Sequence, residues 1–240
     1  MIFETTFEPI VEDYNKNGIL TLQAILKMLE NTGNRHSDKV GDFVIEGVSK
    51  GFAWILTDWK LKVDFFPKYS QKISSQTWIE KPDSPFGISR DLIFFADNKE
   101  CARATTKWVL LDTKTKRLSK VDSTLISSYE PEEKTLFPNE KLAKISIPEK
   151  FDTEKEIQLR RSDFDFNSHV HNLCYLDFAL ETLPHELYKN YIFKEVRITY
   201  KTALTDGIKA ICRQQNINGK STTAIYSESG TLCSIVELAL

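Results

Sequence analysis

The sequence has no long apolar run and almost no net charge, and each absence excludes a class of protein. No stretch approaches the roughly 18 apolar residues that a membrane-spanning helix needs. The N-terminus, MIFETTFEPI, has neither the basic region nor the apolar core of a signal peptide. The formal net charge of −2 argues against bulk attraction to nucleic acid or to an anionic membrane. We therefore expect a cytoplasmic protein without a membrane span.

Cysteine and histidine are also scarce, with four of each in 240 residues. The cysteines show no CxxC pairing, so small buried thiols explain them better than disulfides or zinc. His169 and His171 form an HxH pair that Asp165 could extend to a metal site, but the chain has no HExxH motif. The segment DYNKNG at 13–18 begins like a calcium loop, yet its twelfth position is Ala24 instead of glutamate. We therefore expect no metal.

The chain is long enough for two domains, each with its own core. It reads as two copies of one plan, in which a short strand leads to a helix and then to several long β segments. In the first copy a strand is predicted at 4–10 and a helix at 22–32, with Gly33 as its stop. Aromatic and β-branched residues predict the later strands at 52–65, 72–79, 87–95, 101–111, 195–204, 208–217, 221–227 and 232–238.

One helix packed on a strongly bent antiparallel sheet would cover the apolar faces of both, which makes the fold class α+β. The predicted domains are 1–122 and 153–240, joined by a surface connector at 123–152 that is rich in proline, lysine and glutamate.

The richest polar chemistry lies in the segment RRSDFDFNSHVHNLCYLDFALETLP at 160–184. In an extended chain successive side chains point to opposite faces. Four polar side chains then share one face: Asp165, Asn167, His169 and His171. At 172–183 the period changes to that of a helix that is apolar on most sides and therefore buried.

The pattern D-x-N-x-H-V-x-N at 165–172, followed by an apolar helix with Tyr175 and Glu181, resembles the second half of bacterial-type acyl-acyl-carrier-protein thioesterases. Four other segments of this chain resemble the first half of the same family. They are GFAWILTDW, FPKY, TW and RATTKWVL, which begin at residues 51, 66, 77 and 103. The resemblance implies a double hotdog, in which each of two tandem domains wraps a bent sheet around a long central helix.

The resemblance also implies a function: hydrolysis of fatty acyl-acyl carrier protein, which releases free fatty acid and ends chain elongation. In such a substrate the fatty acyl group is joined to the carrier protein through phosphopantetheine, and the enzyme requires no dissociable cofactor. An acyl-coenzyme A thioesterase and a non-enzymatic acyl- or carrier-binding protein remain alternatives. An acidic carrier could meet Arg160 and Arg161 or the basic run at 114–120, although such a run is also typical of a solvated face. Exposed sheet edges permit a homodimer, but the two linked copies could instead pair with each other and cover those edges.

For thioester hydrolysis, Asp165 is the candidate general base or nucleophile. His169 would polarise the carbonyl, assist proton transfer or orient water, and the amide of Asn167 would position the thioester or the water. Backbone N–H groups of His171 and Asn172, at the positive end of the helix dipole, suit an oxyanion. Taken singly, Asp165 and Asn167 also fit turns closed by side chains, and His169 fits a helix cap.

Two residues depart from the family pattern. His171 stands where the family usually has asparagine, and Ala203 stands where its I-x-Y-K-x-E pattern has glutamate. Asp165 and His169 would then suffice alone, or Glu181 or Asp206 would substitute, or activity would be low.

The two copies also differ from each other. Counted back from their helices, Asp13 matches Asp165, but the first copy has no histidine. The second copy is therefore expected to hold the chemistry and the first to shape an acyl pocket, whose depth depends on the packing of Trp54 and Trp59.

Overall fold

The computed structural model describes residues 1–43, 46, 49, 51–138, 140, 142–190, 192–205 and 207–240. The chain divides into two compact units, Met1–Lys141 and Leu142–Leu240. The residues predicted to form a connector, 123–152, fall on both sides of this division.

In the first unit, the described residues form a five-stranded antiparallel sheet in the order β1-β3-β4-β5-β2. The strands are β1 (Phe3–Phe7), β2 (Phe52–Val63), β3 (Ile73–Ile79), β4 (Gly87–Ala96) and β5 (Lys99–Asp112). Each coincides with a predicted strand to within three residues at either end. Their dense aromatic and β-branched content suits a sheet that carries one face of the core.

The helix α1 (Leu22–Lys39) packs on β3 and β4. Thr21 is its N-cap residue, and the Thr21 hydroxyl accepts a hydrogen bond from the Ala24 amide at 3.2 Å. The predicted stop at Gly33 is wrong, because the helix continues for six more residues. A β-carbon at Gly33 would lie 3.3 Å from Cδ of Arg90, so this glycine allows close approach to the sheet. The chain leaves the helix at Gly41, which has φ of +79°.

The part of the predicted connector that belongs to the first unit is not a surface strip. It contains α2 (Ser123–Ser128), and both Tyr129 and Phe137 are buried. The indole of Trp78 donates to the Lys134 carbonyl at 2.9 Å, and the Leu136 amide donates to Oδ2 of Asp91 at 2.7 Å. The two buried aromatic side chains, Tyr129 and Phe137, therefore anchor this segment to the first unit, which its content of proline, lysine and glutamate did not predict.

In the second unit, the described residues form five antiparallel strands in the order β7-β10-β9-β8-β6. They are β6 (Thr153–Gln158), β7 (Glu195–Tyr200), β8 (Lys209–Ile217), β9 (Lys220–Ser227) and β10 (Leu232–Ala239). Sequence reasoning missed β6, whose sequence TEKEIQ is mostly charged and polar.

Two helices accompany this second sheet. The helix α3 (Cys174–Thr182) packs against β6, β8, β9 and β10 and buries most of its side chains, as predicted for an apolar helix. It is followed by α4 (His185–Asn190). Among the described residues, no helix is both long and apolar enough to cross a membrane.

Candidate functional site

The loop between β6 and α3 carries the predicted site, and a buried carboxylate fixes its shape. The Asp163 side chain is only about 2% exposed, and its Oδ1 accepts from Nε and Nη2 of Arg160 at 2.9 and 2.8 Å. Its Oδ2 accepts from the Arg160 amide at 2.8 Å. These charge-assisted bonds close the short 3₁₀ turn Arg161–Asp163. Sequence reasoning gave Asp163 no role, although a carboxylate three residues into a turn is a capping signal.

Asp165, the predicted base or nucleophile, uses one of its carboxylate oxygens to hold the loop. Oδ1 accepts from the amides of Asn167 and His169 at 2.8 and 3.1 Å. The Asp165 amide in turn donates to the His169 carbonyl at 2.8 Å. The turn-forming interpretation is therefore confirmed for this residue. Oδ2 accepts no hydrogen bond from the described residues, so it can take a proton or attack a carbonyl.

The other two predicted catalytic side chains lie on the same loop. Asn167 is exposed, next to Ser168, which has φ of +59°. His169 is half-buried and is tied to Asp165 through its backbone in both directions. The structure thus brings Asp165 and His169 together through main-chain bonds, while Asn167 presents its amide at the surface of the turn.

Of the two backbone amides predicted to bind the oxyanion, one already donates to an acceptor among the described residues and the other does not. The His171 amide already donates to the Asp163 carbonyl at 2.7 Å, so its proposed oxyanion role is wrong. Nδ1 of His171 accepts from the amide of Leu173 at 3.3 Å, and Leu173 is the N-cap residue of the helix, whose side chain makes no capping hydrogen bond; the predicted cap role of His169 is therefore wrong. The helix begins at Cys174, two residues later than predicted. The Asn172 amide donates to no acceptor within the described ranges, and its role stays a prediction.

Ala203 lies exposed in the segment that follows β7, and this segment is bound to the site loop. The neighbouring Leu204 accepts from the Val170 amide at 2.9 Å and donates its own amide to the Tyr175 hydroxyl at 3.2 Å. Burial raises the pKa of Tyr175, so its hydroxyl stays protonated. Position 203 is therefore one residue from a direct contact with the loop.

Glu181 and Asp206 were suggested as substitutes for a glutamate at position 203, and only Glu181 belongs to the described residues. Glu181 lies near the far end of α3, about 10 Å along the helix from Cys174 at 1.5 Å per residue. Its side chain is 63% exposed and paired with Lys155 at 3.6 Å, so it does not reach the site. Asp206 lies outside the described residues.

The first unit contains the same turn without the carboxylate and the imidazole. Oδ1 of Asn15 accepts from the amides of Asn17 and Ile19 at 2.9 and 3.2 Å, which repeats the Asp165 geometry 150 residues earlier. Asn15, and not Asp13, is therefore the counterpart of Asp165. The predicted match was wrong by two residues because α1 begins two positions earlier relative to its turn than α3 does. At these matched positions the first unit has neither carboxylate nor imidazole.

A narrow cavity of about 30 Å³ lies in the first unit between α1 and the sheet. Its walls are mostly apolar, with Leu29, Trp54, Trp59, Ile88, Leu92 and Trp108 among them.

A buried polar cluster forms part of the wall of this cavity. Arg90 contacts Nδ1 of His36 at 2.9 Å and donates to the Ser37 hydroxyl at 3.3 Å. The Tyr129 hydroxyl and the Trp54 indole both donate to Oδ2 of Asp42, at 2.7 and 2.9 Å. Burial and the Arg90 charge lower the pKa of His36 to about 3, so it stays neutral and accepts from Arg90.

Known proteins match this chain in sequence and in fold. Oleoyl-acyl carrier protein thioesterase 2, chloroplastic, of Arabidopsis thaliana is 26% identical over 231 residues, which are 87% of this chain and 59% of that protein. The chain thus spans less than two thirds of the length of this curated relative. An acyl-ACP thioesterase from Bacteroides thetaiotaomicron has a TM-score of 0.88 at 19% identity, with 99% of this chain and 97% of the other covered. The 12:0-ACP thioesterase from Umbellularia californica has a TM-score of 0.85 at 18% identity, with 99% and 96% covered.

These structures confirm the predicted α+β fold of two hotdog domains. Residues 1–129 match the family model for the acyl-ACP thioesterase N-terminal domain, and residues 147–234 match the model for the C-terminal domain. Since the two models together cover most of both units, the chain belongs to the acyl-ACP thioesterase family.

Proposed function

We propose that the protein hydrolyses the thioester of fatty acyl-acyl carrier protein, releasing free fatty acid and ending chain elongation. One observation carries the proposal beyond family membership. The same turn is built twice, and only in the second unit does it hold a carboxylate, Asp165, and an imidazole, His169. An asparagine is enough to shape the turn, as Asn15 shows, so the acid at 165 supports a chemical role.

In this reaction Asp165 acts through Oδ2. As general base it takes a proton from a water that attacks the thioester carbonyl carbon; as nucleophile it attacks that carbon directly, and water then hydrolyses the anhydride. Either route forms a tetrahedral oxyanion whose collapse breaks the carbon–sulfur bond. The phosphopantetheine thiolate leaves and is protonated, and the fatty acid is released.

Other groups on the loop assist these steps. His169 orients the water or polarises the carbonyl, and its main-chain bonds to Asp165 keep the two residues in register. The Asn172 amide, just before α3, is the remaining backbone donor for the oxyanion. Asn167 positions the thioester with its exposed amide. The His171 ring accepts from the Leu173 amide and so supports the loop just before the helix.

The first unit shapes the acyl pocket in this proposal. The apolar lining of its cavity, with three indole rings, suits a hydrocarbon chain. The carrier protein is the expected partner, because exposed Arg160 and Arg161 beside the site loop complement an acidic surface. Arg160 is also held in place by Asp163, so it offers its charge at a fixed position. A cytoplasmic location and a homodimer stay predictions.

Ala203 favours a second candidate, a protein that binds acyl chains or the carrier without turnover. An exposed alanine beside the loop supplies no carboxylate, and among the suggested substitutes Glu181 does not reach the site.

One experiment separates these functions. Free-thiol release is measured from acyl carrier protein thioesters of several chain lengths, with matching acyl-coenzyme A substrates in parallel. Turnover that favours the carrier-bound series supports the proposal, and equal or better turnover of coenzyme A thioesters points to the alternative substrate. Binding of acyl carrier protein without any thiol release would replace the proposed enzyme with the binding protein.

A further inference from the structure

A cleft of about 410 Å³ lies beside the site loop of the second unit. Several residues between 159 and 168 line it from the loop, and they include Asp165, the candidate base or nucleophile. Thr205, Gly207 and Ile208 line it from a different part of the chain. A substrate that meets Asp165 in this cleft therefore has Thr205 and Gly207 beside it, and we call these two residues the cleft wall.

The cleft wall lies in a stretch, 201–207, that forms neither helix nor strand where the structure describes it. It is therefore positioned by the hydrogen-bonded residues on either side. On one side the Ile208 carbonyl accepts from the Leu159 amide at 2.8 Å. On the other side the hydrogen bonds are made by Leu204, and the described residues at 203, 205 and 207 make none.

Leu204 is buried and is bound from two directions. Its carbonyl accepts from the Val170 amide of the site loop at 2.9 Å, and its amide donates to the Tyr175 hydroxyl at 3.2 Å. Tyr175 belongs to α3, is buried, and packs its ring edge-to-face on Tyr200 with the centroids 5.6 Å apart. Because the packed ring holds the hydroxyl in one place, α3 fixes the cleft wall through Leu204.

The first unit has the counterpart of one of these bonds and lacks the other. When the two turns are matched, Ile25 in the first helix corresponds to Tyr175. The Leu20 amide donates to the Pro67 carbonyl at 2.8 Å, as the site loop does to the Leu204 carbonyl. Isoleucine has no hydroxyl and proline has no N–H, so the second bond cannot form there. At these matched positions, the bond between a buried hydroxyl and an amide belongs to the unit that carries the candidate site.

We propose that Tyr175 is a positioning residue of the thioesterase site: its hydroxyl holds the Leu204 amide and so keeps the cleft wall in place beside the substrate that reacts at Asp165. The inference rests on the proposed thioesterase function, since it assigns a further residue to that site. The wall lies beside the substrate before and during the reaction, so its displacement weakens binding more than it slows the chemical step.

Replacing Tyr175 by phenylalanine removes the hydroxyl and keeps the packed ring. In Tyr175→Phe, the KM for thiol release from a saturated acyl-carrier thioester should rise by about 3- to 10-fold, the effect of one net hydrogen bond. The kcat should change by less than about 2-fold. A loss of folded protein lowers the apparent kcat and leaves KM unchanged, so KM distinguishes positioning from a purely structural role.

Thr182→Val is the matched control on the same helix. Thr182 is as buried as Tyr175, and its hydroxyl donates to the Phe178 carbonyl at 2.7 Å. It lies about 10 Å further along α3, at 1.5 Å per residue. Both variants lose one buried hydrogen bond and should unfold at similar urea concentrations, but Thr182→Val should keep the KM of the parent.

The bond is also tested from its other partner. Incorporating the α-hydroxy acid of leucine at Leu204 replaces the amide by an ester, which removes the N–H that donates to Tyr175 and keeps the side chain. KM should rise by the same factor as in Tyr175→Phe. The doubly changed protein should show no further rise, because two changes that break the same bond are not additive.

A binding measurement without turnover keeps this inference apart from the proposed function. The probe is carrier protein that bears a non-hydrolysable thioether analogue of the acyl group, and its dissociation constant should rise in Tyr175→Phe by the same factor as KM. If the parent releases thiol and Tyr175→Phe matches it in both KM and dissociation constant, the role of Tyr175 is overturned and the thioesterase stands. If neither protein releases thiol but Tyr175→Phe binds the analogue more weakly, Tyr175 positions the cleft wall and the thioesterase fails. An equal rise of KM in Thr182→Val would overturn the inference, because a general loosening of α3 would explain it.

Discussion

Replacing Asp165 by asparagine separates the structural role of this residue from its chemical role. The first unit provides the internal reference, because Asn15 already closes the same turn with an amide oxygen, at 2.9 and 3.2 Å in place of 2.8 and 3.1 Å. Asp165→Asn should therefore keep both turn bonds and change the free energy of unfolding by less than about 1 kcal/mol.

The chemistry should not survive this change. An amide at position 165 neither accepts a proton from water nor attacks a thioester, so thiol release should fall by about 10²- to 10⁴-fold, the range for loss of a general base. Asp165→Ala should lose the activity and also both turn bonds, at a cost of about 2 kcal/mol in stability.

The assay pairs thiol release from saturating acyl-carrier substrate with urea unfolding of the same preparations. Asn15→Asp is the matched control, since it places a carboxylate in the first-unit turn, where no imidazole is present; it should leave thiol release unchanged. The reasoning is refuted by an Asp165→Asn protein that is as active as the parent, because the carboxylate would then serve only the turn.

The other predictions concern a buried acid, the missing glutamate and a helical glycine. Burial, and then the nearby Glu80, raise the pKa of Asp91 to about 7. Because the pKa of Asp91 is higher in the folded than in the unfolded protein, its contribution to stability is fully present at pH 4 and below and is lost as the pH rises through 7. The free energy of unfolding should therefore fall by about 2–4 kcal/mol between pH 4 and pH 7 because of Asp91. Urea titrations of the Asp91→Asn variant should lack that fall. Ala203→Glu adds a carboxylate next to Leu204, which contacts the loop, and should raise kcat in the thiol-release assay several-fold; an unchanged kcat would show that position 203 does not reach the reacting atoms. Gly33→Ala should not gain the roughly 1 kcal/mol that helix propensity offers, because its β-carbon would lie 3.3 Å from Cδ of the tightly bonded Arg90; a rise in melting temperature would contradict this.

The strands that follow each helix were largely predictable because their residues are locally distinctive, although β7 ends at Tyr200, four residues before its predicted end at 204. Aromatic and β-branched runs place β2, β3, β4 and β5 with errors of three residues or less. The sequence of β6 has no such run, and its place beside β8 depends on backbone pairing that composition does not reveal.

The end of α1 was mispredicted for a different reason. A glycine that ends a helix and a glycine that lets a helix approach a sheet look identical in sequence. Only the position of Arg90 distinguishes them at Gly33, whereas Gly41 performs the termination.

The site was partly predictable from its residue types. The carboxylate and imidazoles of 165–171 were visible as a pattern, but which of their groups are already hydrogen-bonded depends on how the loop folds. The bond from the His171 amide to the Asp163 carbonyl removes one predicted oxyanion donor, and the bond from the Leu173 amide to Nδ1 of His171 occupies that imidazole nitrogen. Neither bond follows from alternation along a strand or from helical periodicity.

The duplication shows why counting along the sequence misassigned the equivalent residues. The turns are equivalent through their hydrogen bonds, whereas the two helices begin at different distances from them. Once the turns are matched, Asp13 pairs with Asp163, and each carboxylate accepts the amide three residues before it, at 3.0 and 2.8 Å. The supporting acid is thus present in both units, and Asp165 and His169 are what distinguish the second. A residue shared by both copies is explained by the turn alone, so the proposed chemistry is assigned to the positions at which the copies differ.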